Sequence, residues 1–367
     1  MNSVTISFVG DISLNGMYDD LLPQKGANFP FEQIKKEFDE VDIVSGNLES
    51  PFAHDVKKPE FLMKTPLKAN PAYVEGLKWA GFNVMNLSNN HILDYGERAA
   101  AGTQEILEGN GIEHFGYGKD IESAKQLKVI SVGSLKIGFI GYTDVVIDSP
   151  FYAGTDTRGI VKFDITSARE DTTRNKKQVD ILVINLHWGI EYFHLPSPEQ
   201  ITHARNLIDS GADIVIGHHP HVLQGIERYK GGVIAYSLGN FVFSEILWEW
   251  YTPIREKRLT RYPLSRGNRK GAILQVEIAN SGELRYNVIG TYLRSNGQIG
   301  LRMNVEKDID FLSRPLLSTN YERHFQNDIL HFNRRLLVKN HLSRFCRVYK
   351  IRPKHIKEVI DLIRTLS

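Results

Sequence analysis

Three imidazoles fall within four residues in Gly217-His218-His219-Pro220-His221. Imidazole is the commonest metal ligand near neutral pH and can also carry a proton. Directly before them runs Asp213-Ile214-Val215-Ile216, short and β-branched, the pattern of a buried strand. The histidines therefore stand at a strand's C-terminal end, where open α/β sheets collect their chemistry. Other donors recur in the same setting. Asp11 follows Val4–Val9 and Gly10; Glu49 follows Asp42–Gly46; Asn90 and His91 follow Asn83–Leu87. His187, with Glu191 four residues on, follows Asp180–Ile184, and Asn240 follows Val233–Leu238. Carboxylate and imidazole together suit Zn²⁺, Mn²⁺ or Fe, and the donors suffice for two divalent metal ions sharing a carboxylate. Such a pair activates a bound water and clamps the oxygens of a displacement. Each residue also has a plainer role open to it. Asp11 and Asn90 could be turn residues, Glu49 a cap, His187 a packed core histidine and Asn240 purely structural. Asp94 reads as a loop-fixing or capping residue rather than a ligand.

Those donors need a scaffold that brings separate loops to one edge. The chain alternates apolar strand runs with helical stretches, which is the α/β signature. The spacing predicts helices near Phe31–Phe38, from the cap Asn70-Pro71 to Gly81, over Glu97–Glu108, over Ile165–Lys177, and from Ser197-Pro198 to Asp209. Hairpins are expected around Gly133-Ser134 and Asn280-Ser281-Gly282. Residues 148–159 and 252–270 read as loops, the second strongly basic.

Whole-chain properties narrow the class. With 367 residues, 41% hydrophobic and 24% charged, the composition is that of an ordinary globular protein. A formal net charge of +2 gives no global pull toward nucleic acid or membrane, and no nucleic-acid reader motif is present. The single cysteine, Cys346, excludes an intramolecular disulfide and fits a reducing compartment. No signal-peptide pattern and no apolar run of membrane-spanning length is seen, so the expected location is cytoplasmic or peripheral to a membrane. From Arg334 to Lys357 lie nine Lys or Arg residues and no acid. That segment is a solvated helical cap, or a basic surface for an anionic polymer, a membrane or a synthase partner. Two regions are expected: a main domain over 1–300 and a basic helical C-terminal extension over 301–367.

Taken together, Gly10-Asp11, Asn47-Leu48-Glu49-Ser50-Pro51, Asn89-Asn90-His91 with Asp94-Tyr95-Gly96, His187-Trp188-Gly189 with Glu191-Tyr192, Gly217–His221 and Tyr236–Phe241 resemble the CapA family. These are the PgsA-like capsule and poly-γ-glutamate synthesis proteins, with a calcineurin-like metallophosphatase fold. The resemblance spans about residues 4–243. It implies a four-layer α/β/β/α metallophosphatase-like sandwich with a C-terminal helical extension and a dinuclear site. Carried over position by position, Asp11 and His221 would bind a first metal, and Asn90, His187 and His219 a second. Glu49 would bridge them, and His91 would act as general acid. Ser13 stands where that pattern has a histidine. Glu191, Asn240 and His218 would orient ligands or substrate, and a one-residue slip would exchange His218 and His219. The implied activity is hydrolysis of a phosphoester or of an amide in an anionic polymer. The alternative is a non-catalytic accessory subunit of a polymer synthase or export complex, its metal structural. A third option is a nucleotide phosphodiesterase whose basic loop near 255–270 holds phosphate.

Overall fold

The computed structural model describes residues 3–54, 66–145, 151–251 and 257–348. The chain lays down β1 (Ser3–Ile12), β2 (Ile43–Leu48), β3 (Val84–Asn86) and β4 (Glu113–Phe115), then β5 (Tyr117–Gly118), β6 (Lys128–Val132), β7 (Leu135–Thr143) and β8 (Gly159–Ile160). β9 (Ile181–His187), β10 (Ile214–His218), β11 (Ile226–Tyr229), β12 (Gly232–Ala235) and β13 (Asn240–Val242) follow. The last strands are β14 (Ile246–Tyr251), β15 (Lys257–Tyr262), β16 (Lys270–Ala279), β17 (Leu284–Leu293) and β18 (Ile299–Leu301).

Two sheets carry the architecture. The first runs β18-β17-β16-β1-β2-β3-β4, with β13 also pairing β1. Its β1 to β4 are parallel and its β16 to β18 antiparallel. The second runs β11-β12-β10-β9-β7-β6, parallel in the middle and antiparallel at both edges. Apolar faces of the two sheets meet in one core, where Ile6, Phe8 and Leu274 of the first join Phe139, Val183 and Ile216 of the second. The opposite face of the first sheet packs on Leu22, Phe31, Leu77 and Leu107, residues of its covering helices and loops. On the second sheet the helices Ile165–Lys176 and Pro198–Asp209 cover β9 and β10. The result is the four-layer α/β/β/α sandwich expected. Every residue of β9 and β10 is buried, as strands covered on both faces must be. Each fully buried Ile, Leu or Val there contributes about 1.5–3 kcal/mol.

Local chemistry explains most element ends. Asn70 Oδ1 accepts from Ala72 N at 3.0 Å, Pro71 opens the turn, and Gly81 closes the helix Val74–Ala80 at φ 106°. Ser197 and Gln200 form a reciprocal capping box on Pro198–Asp209. Three places differ from expectation. Phe31, Ile34 and Phe38 are buried at helical spacing, yet the backbone there passes through turns into a short 3₁₀ segment, Lys35–Phe38. The apolar spacing records a shared core face, which successive turns satisfy as well as a helix. The helix Met17–Lys25, with Pro23 inside it, was not expected. Part of the expected loop 252–270 is β15, paired antiparallel with β14, because backbone pairing does not depend on the charge that marked it as loop. Residues 148–150 and 252–256 of the two expected loops lie outside the described residues.

Residues through Ser318 form one compact unit and a second begins at Thr319. Within the second, the helix Tyr321–Val348 includes the start of the basic segment; residues 349–367 lie outside the described residues. Among the described residues no helix is long and apolar enough to cross a membrane.

Candidate metal centre

Six strand ends meet at one edge of the sandwich. Asp11 sits near the end of β1, where the pairing shifts register against both β2 and β13 and re-aims the side chain. The crossing there is tight: a Cβ on Gly10 would lie 1.8 Å from Gly239 O. Asp11 N donates to that carbonyl at 3.0 Å and pairs in register with Asn240 at the start of β13. Glu49 follows β2, its N donating to Ile12 O at 2.9 Å. Asn90 and His91 follow β3. In the second sheet His187 and His218 close β9 and β10 directly opposite each other. Beyond β10 the backbone turns sharply. His219 (φ 97°), His221 (φ 55°) and nearby Tyr192 (φ 65°) all adopt left-handed conformations that side chains rarely accept. Backbone strain of this kind concentrates at functional sites.

The donors expected from sequence do converge. Asp11, Glu49 and His221 are buried and offer ligand atoms within 4.8 Å of one another. His221 Nδ1 lies 3.3 Å from Asp11 Oδ2, and its Nε2 lies 3.5 Å from Glu49 Oε1. His187 Nε2 is 2.9 Å from Asn90 Oδ1, and the His187 and His219 rings stand 4.9 Å apart. His218 is buried beside them, Nδ1 3.5 Å from Asp11 Oδ1 and Nε2 3.2 Å from Asn185 Oδ1. Asn240 Oδ1 is 2.9 Å from His221 Nδ1. Exposed Glu191 offers a carboxylate oxygen within 4.8 Å of ring nitrogens of His219 and His221. Ser13 turns away and donates to Asn15 Oδ1 at 3.0 Å.

Charge is unevenly held. Burial works against ionisation of Asp11, but hydrogen bonds and charge from His218 and His221 hold its carboxyl well below the ordinary range. Burial, reinforced by His219, keeps His187 well below the ordinary imidazole value. Burial also opposes charge on His221, yet Glu49 and Asp11 push it up to about 10. Two fully buried carboxylates beside imidazoles are costly without a compensating cation. Hard-oxygen and imidazole donors so placed fit a divalent metal ion.

Sequence reasoning missed the amides behind these donors. Asn47 Nδ2 donates to Asp11 Oδ1 at 2.9 Å and lies 3.4 Å from His187 Nδ1. Its Oδ1 accepts from Asn86 Nδ2 at 3.0 Å and Asn89 Nδ2 at 3.2 Å. A buried amide inside an apolar strand was the available signal, since it must find partners. Asp94, read from sequence as a loop-fixing or capping residue, also contacts His91. Its Oδ2 lies 2.6 Å from His91 Nδ1 and accepts from Leu67 N at 2.7 Å. That leaves His91 Nε2 facing inward, 3.8 Å from Glu49 Oε1.

The chain has known relatives. The model of the family described as bacterial capsule synthesis protein PGA_cap matches residues 5–245. This chain belongs to that family. The capsule biosynthesis protein CapA of Bacillus anthracis is 32% identical over 270 residues, covering 71% of this chain and 64% of its own. The PGA biosynthesis protein CapA of Bacillus subtilis is 35% identical over 264 residues, 72% and 68% of the respective chains. A Mycobacterium tuberculosis protein named as a polyglutamine synthesis accessory protein is 29% identical over 213 residues, 55% of each chain. The matched stretches thus span about two thirds of the Bacillus proteins and about half of the mycobacterial one. A Haemophilus influenzae NAD nucleotidase resembles the fold over 84% of this chain and 55% of its own, with a TM-score of 0.41 and 12% identity, too remote to inform the chemistry.

Proposed function

We propose that this capsule-synthesis family member is a divalent-metal-dependent hydrolase acting on a phosphoester or an amide of an anionic, polyglutamate-like polymer. The observation that carries the reading is the buried Asp11–Glu49–His221 donor set with His91 beside it. Asp11, Glu49 and His221 would hold one ion; Asn90, His187 and His219 offer donors for a second. A bound divalent ion supplies Lewis acidity and lowers the pKa of a water it holds. The chain's own groups do the rest. Asp94 fixes the His91 ring through Nδ1, so Nε2 is presented toward Glu49 and can deliver a proton to a leaving oxygen or nitrogen. Asn240 steadies His221, and Asn47 steadies Asp11. Tyr192 stacks obliquely near His221, ring centroids 6.1 Å apart, and with Glu191 forms part of the mouth.

One observation favours a second reading, an accessory subunit of a polymer synthase. The mycobacterial relative is named as a polyglutamine synthesis accessory protein, and the nine cations between Arg334 and Lys357 suit docking to an acidic polymer, an anionic membrane surface or a partner protein.

The deciding experiment is metal analysis of wild type and His221→Ala, alongside hydrolysis of p-nitrophenyl phosphate, bis-p-nitrophenyl phosphate and poly-γ-glutamate with added Mn²⁺. Bound metal and turnover, both lost in the variant, support the hydrolase. Metal without turnover on any of the three favours the accessory reading. Absence of metal under every loading condition rejects the hydrolase reading.

A further inference from the structure

The amide layer under the centre has fixed orientations. Asn86 Oδ1 accepts from Ser88 N at 3.1 Å, so its Nδ2 must point the other way, to Asn47. Asn89 Oδ1 accepts from His91 N and Ile92 N, both at 3.0 Å, so its Nδ2 also points inward, to Leu48 O and Asn47. Backbone amides thus dictate two side-chain amides, and those two dictate a third. Asn47 has to present its oxygen to Asn86 and Asn89, and its N–H₂ to Asp11 and His187. An amide N–H is not a metal ligand, and its hydrogens carry partial positive charge.

The place between the two groups of donors is therefore held by a donor N–H rather than by an anionic oxygen. The donor sets also differ in charge. Asp11 and Glu49 bring two carboxylates to His221. Asn90, His187 and His219 bring an amide and two imidazoles but no carboxylate. Exposed Glu191 reaches that side only in a set that also draws on His221. Affinity for hard divalent ions rises with the number of charged ligands.

We propose that Asn47 makes this centre asymmetric: one divalent cation is held tightly by Asp11, Glu49 and His221, and a second site at Asn90, His187 and His219 is weak and exchangeable. The proposal rests on the metal-dependent reading above and adds the residue that sets the inequality. It also predicts what Asn47→Asp does. An aspartate there cannot donate to Asp11; it places a second carboxylate against it and faces His187, an arrangement that calls for a cation between the halves.

The test uses the full chain loaded with Mn²⁺, then desalted. Wild type is expected to retain about one equivalent, with the electron paramagnetic resonance hyperfine pattern of an isolated ion. Asn47→Asp is expected to retain about two equivalents, with an exchange-coupled spectrum, and to melt lower than wild type when metal-free but recover on loading. Two tightly retained, coupled ions in wild type would overturn the inference while leaving the hydrolase reading intact. So would an Asn47→Asp protein that folds, by circular dichroism, and still keeps one. No retained Mn²⁺ in wild type overturns both. Should the variant not fold, the wild-type spectrum at one and at two added equivalents decides alone: a second ion that binds as tightly as the first refutes the asymmetry.

Discussion

Gly10→Ala probes the crossing that aims Asp11. A Cβ at residue 10 would stand 1.8 Å from Gly239 O and 3.1 Å from Leu238 O, where ordinary contact begins near 3.4 Å. Both obstacles are backbone, so no side-chain rotation relieves them; β1 and the Leu238-Gly239 turn must part by about 1.5 Å. The separation breaks the 3.0 Å hydrogen bond from Asp11 N to Gly239 O and leaves a buried carbonyl unsatisfied. Overpacking costs about 1–3 kcal/mol and the orphaned group about 1–3 more, for a total of about 2–6 kcal/mol. In a folding unit of roughly 300 residues each kcal/mol moves the melting point by about 1.5–2 °C, so a fall of about 3–12 °C is expected. Asp11 lies 3.3 Å from His221, so the same shift also spoils the donor set, and retained Mn²⁺ should drop sharply. Differential scanning calorimetry with and without Mn²⁺, followed by metal analysis, reads both effects. A variant that melts within 1–2 °C of wild type and keeps its metal would refute the argument that this backbone contact sets the position of Asp11.

Other perturbations have clear signs. Asp94→Asn frees the His91 ring from its carboxylate and should lower kcat by about tenfold to a hundredfold on any substrate that proves to be turned over, with bound metal unchanged; loss of metal instead would make Asp94 a support of the donor set. Ser197→Ala removes the cap of the helix that covers β10 and should cost about 1 kcal/mol in denaturant unfolding, with Ser197→Asp close to neutral. His114 is held below the ordinary imidazole value by burial, against the pull of Glu108. Its folded pKa is depressed, so the unfolded chain takes the proton first. Its contribution is present above the unfolded value near 6.5 and is lost as pH falls through the folded one. His114→Gln should therefore flatten the stability loss between pH 7.5 and 5 in urea titrations; an unchanged slope would remove His114 from that account.

Legibility in the sequence followed the range of the interactions. Strand β10, the cap at Ser197 and the Asn70–Gly81 helix were readable because period, cap and terminator lie within a few residues of one another. The strand-end donors were readable because each follows its own apolar run. Partners were not. Asn240 pairs with Asp11 through β13, more than two hundred residues away in sequence, and no local pattern records that pairing. Asn47 sits inside Ile43–Leu48, where a buried amide signals that partners are needed but not which, because the residues that orient it arrive from β3 and the loop beyond. The short helix Met17–Lys25 was hidden by Pro23 and by weak apolar spacing.

The donors hang from two different sheets: Asp11, Glu49, Asn90 and His91 from the first, His187, His218, His219 and His221 from the second. The gap between the two sets is spanned by the inter-sheet core, with Phe8 and Leu274 on one side and Phe139, Val183 and Ile216 on the other. That core works as a spacer gauge. Trimming Phe139 or Val183 touches no donor, yet it changes how far apart the two walls of the centre stand, because close-packed interiors pass on volume changes rather than absorb them. Distances at the rim are thus fixed by the thickness of hydrocarbon beneath it. Drift in the chain's inner apolar residues would therefore reach the centre without exchanging a single donor.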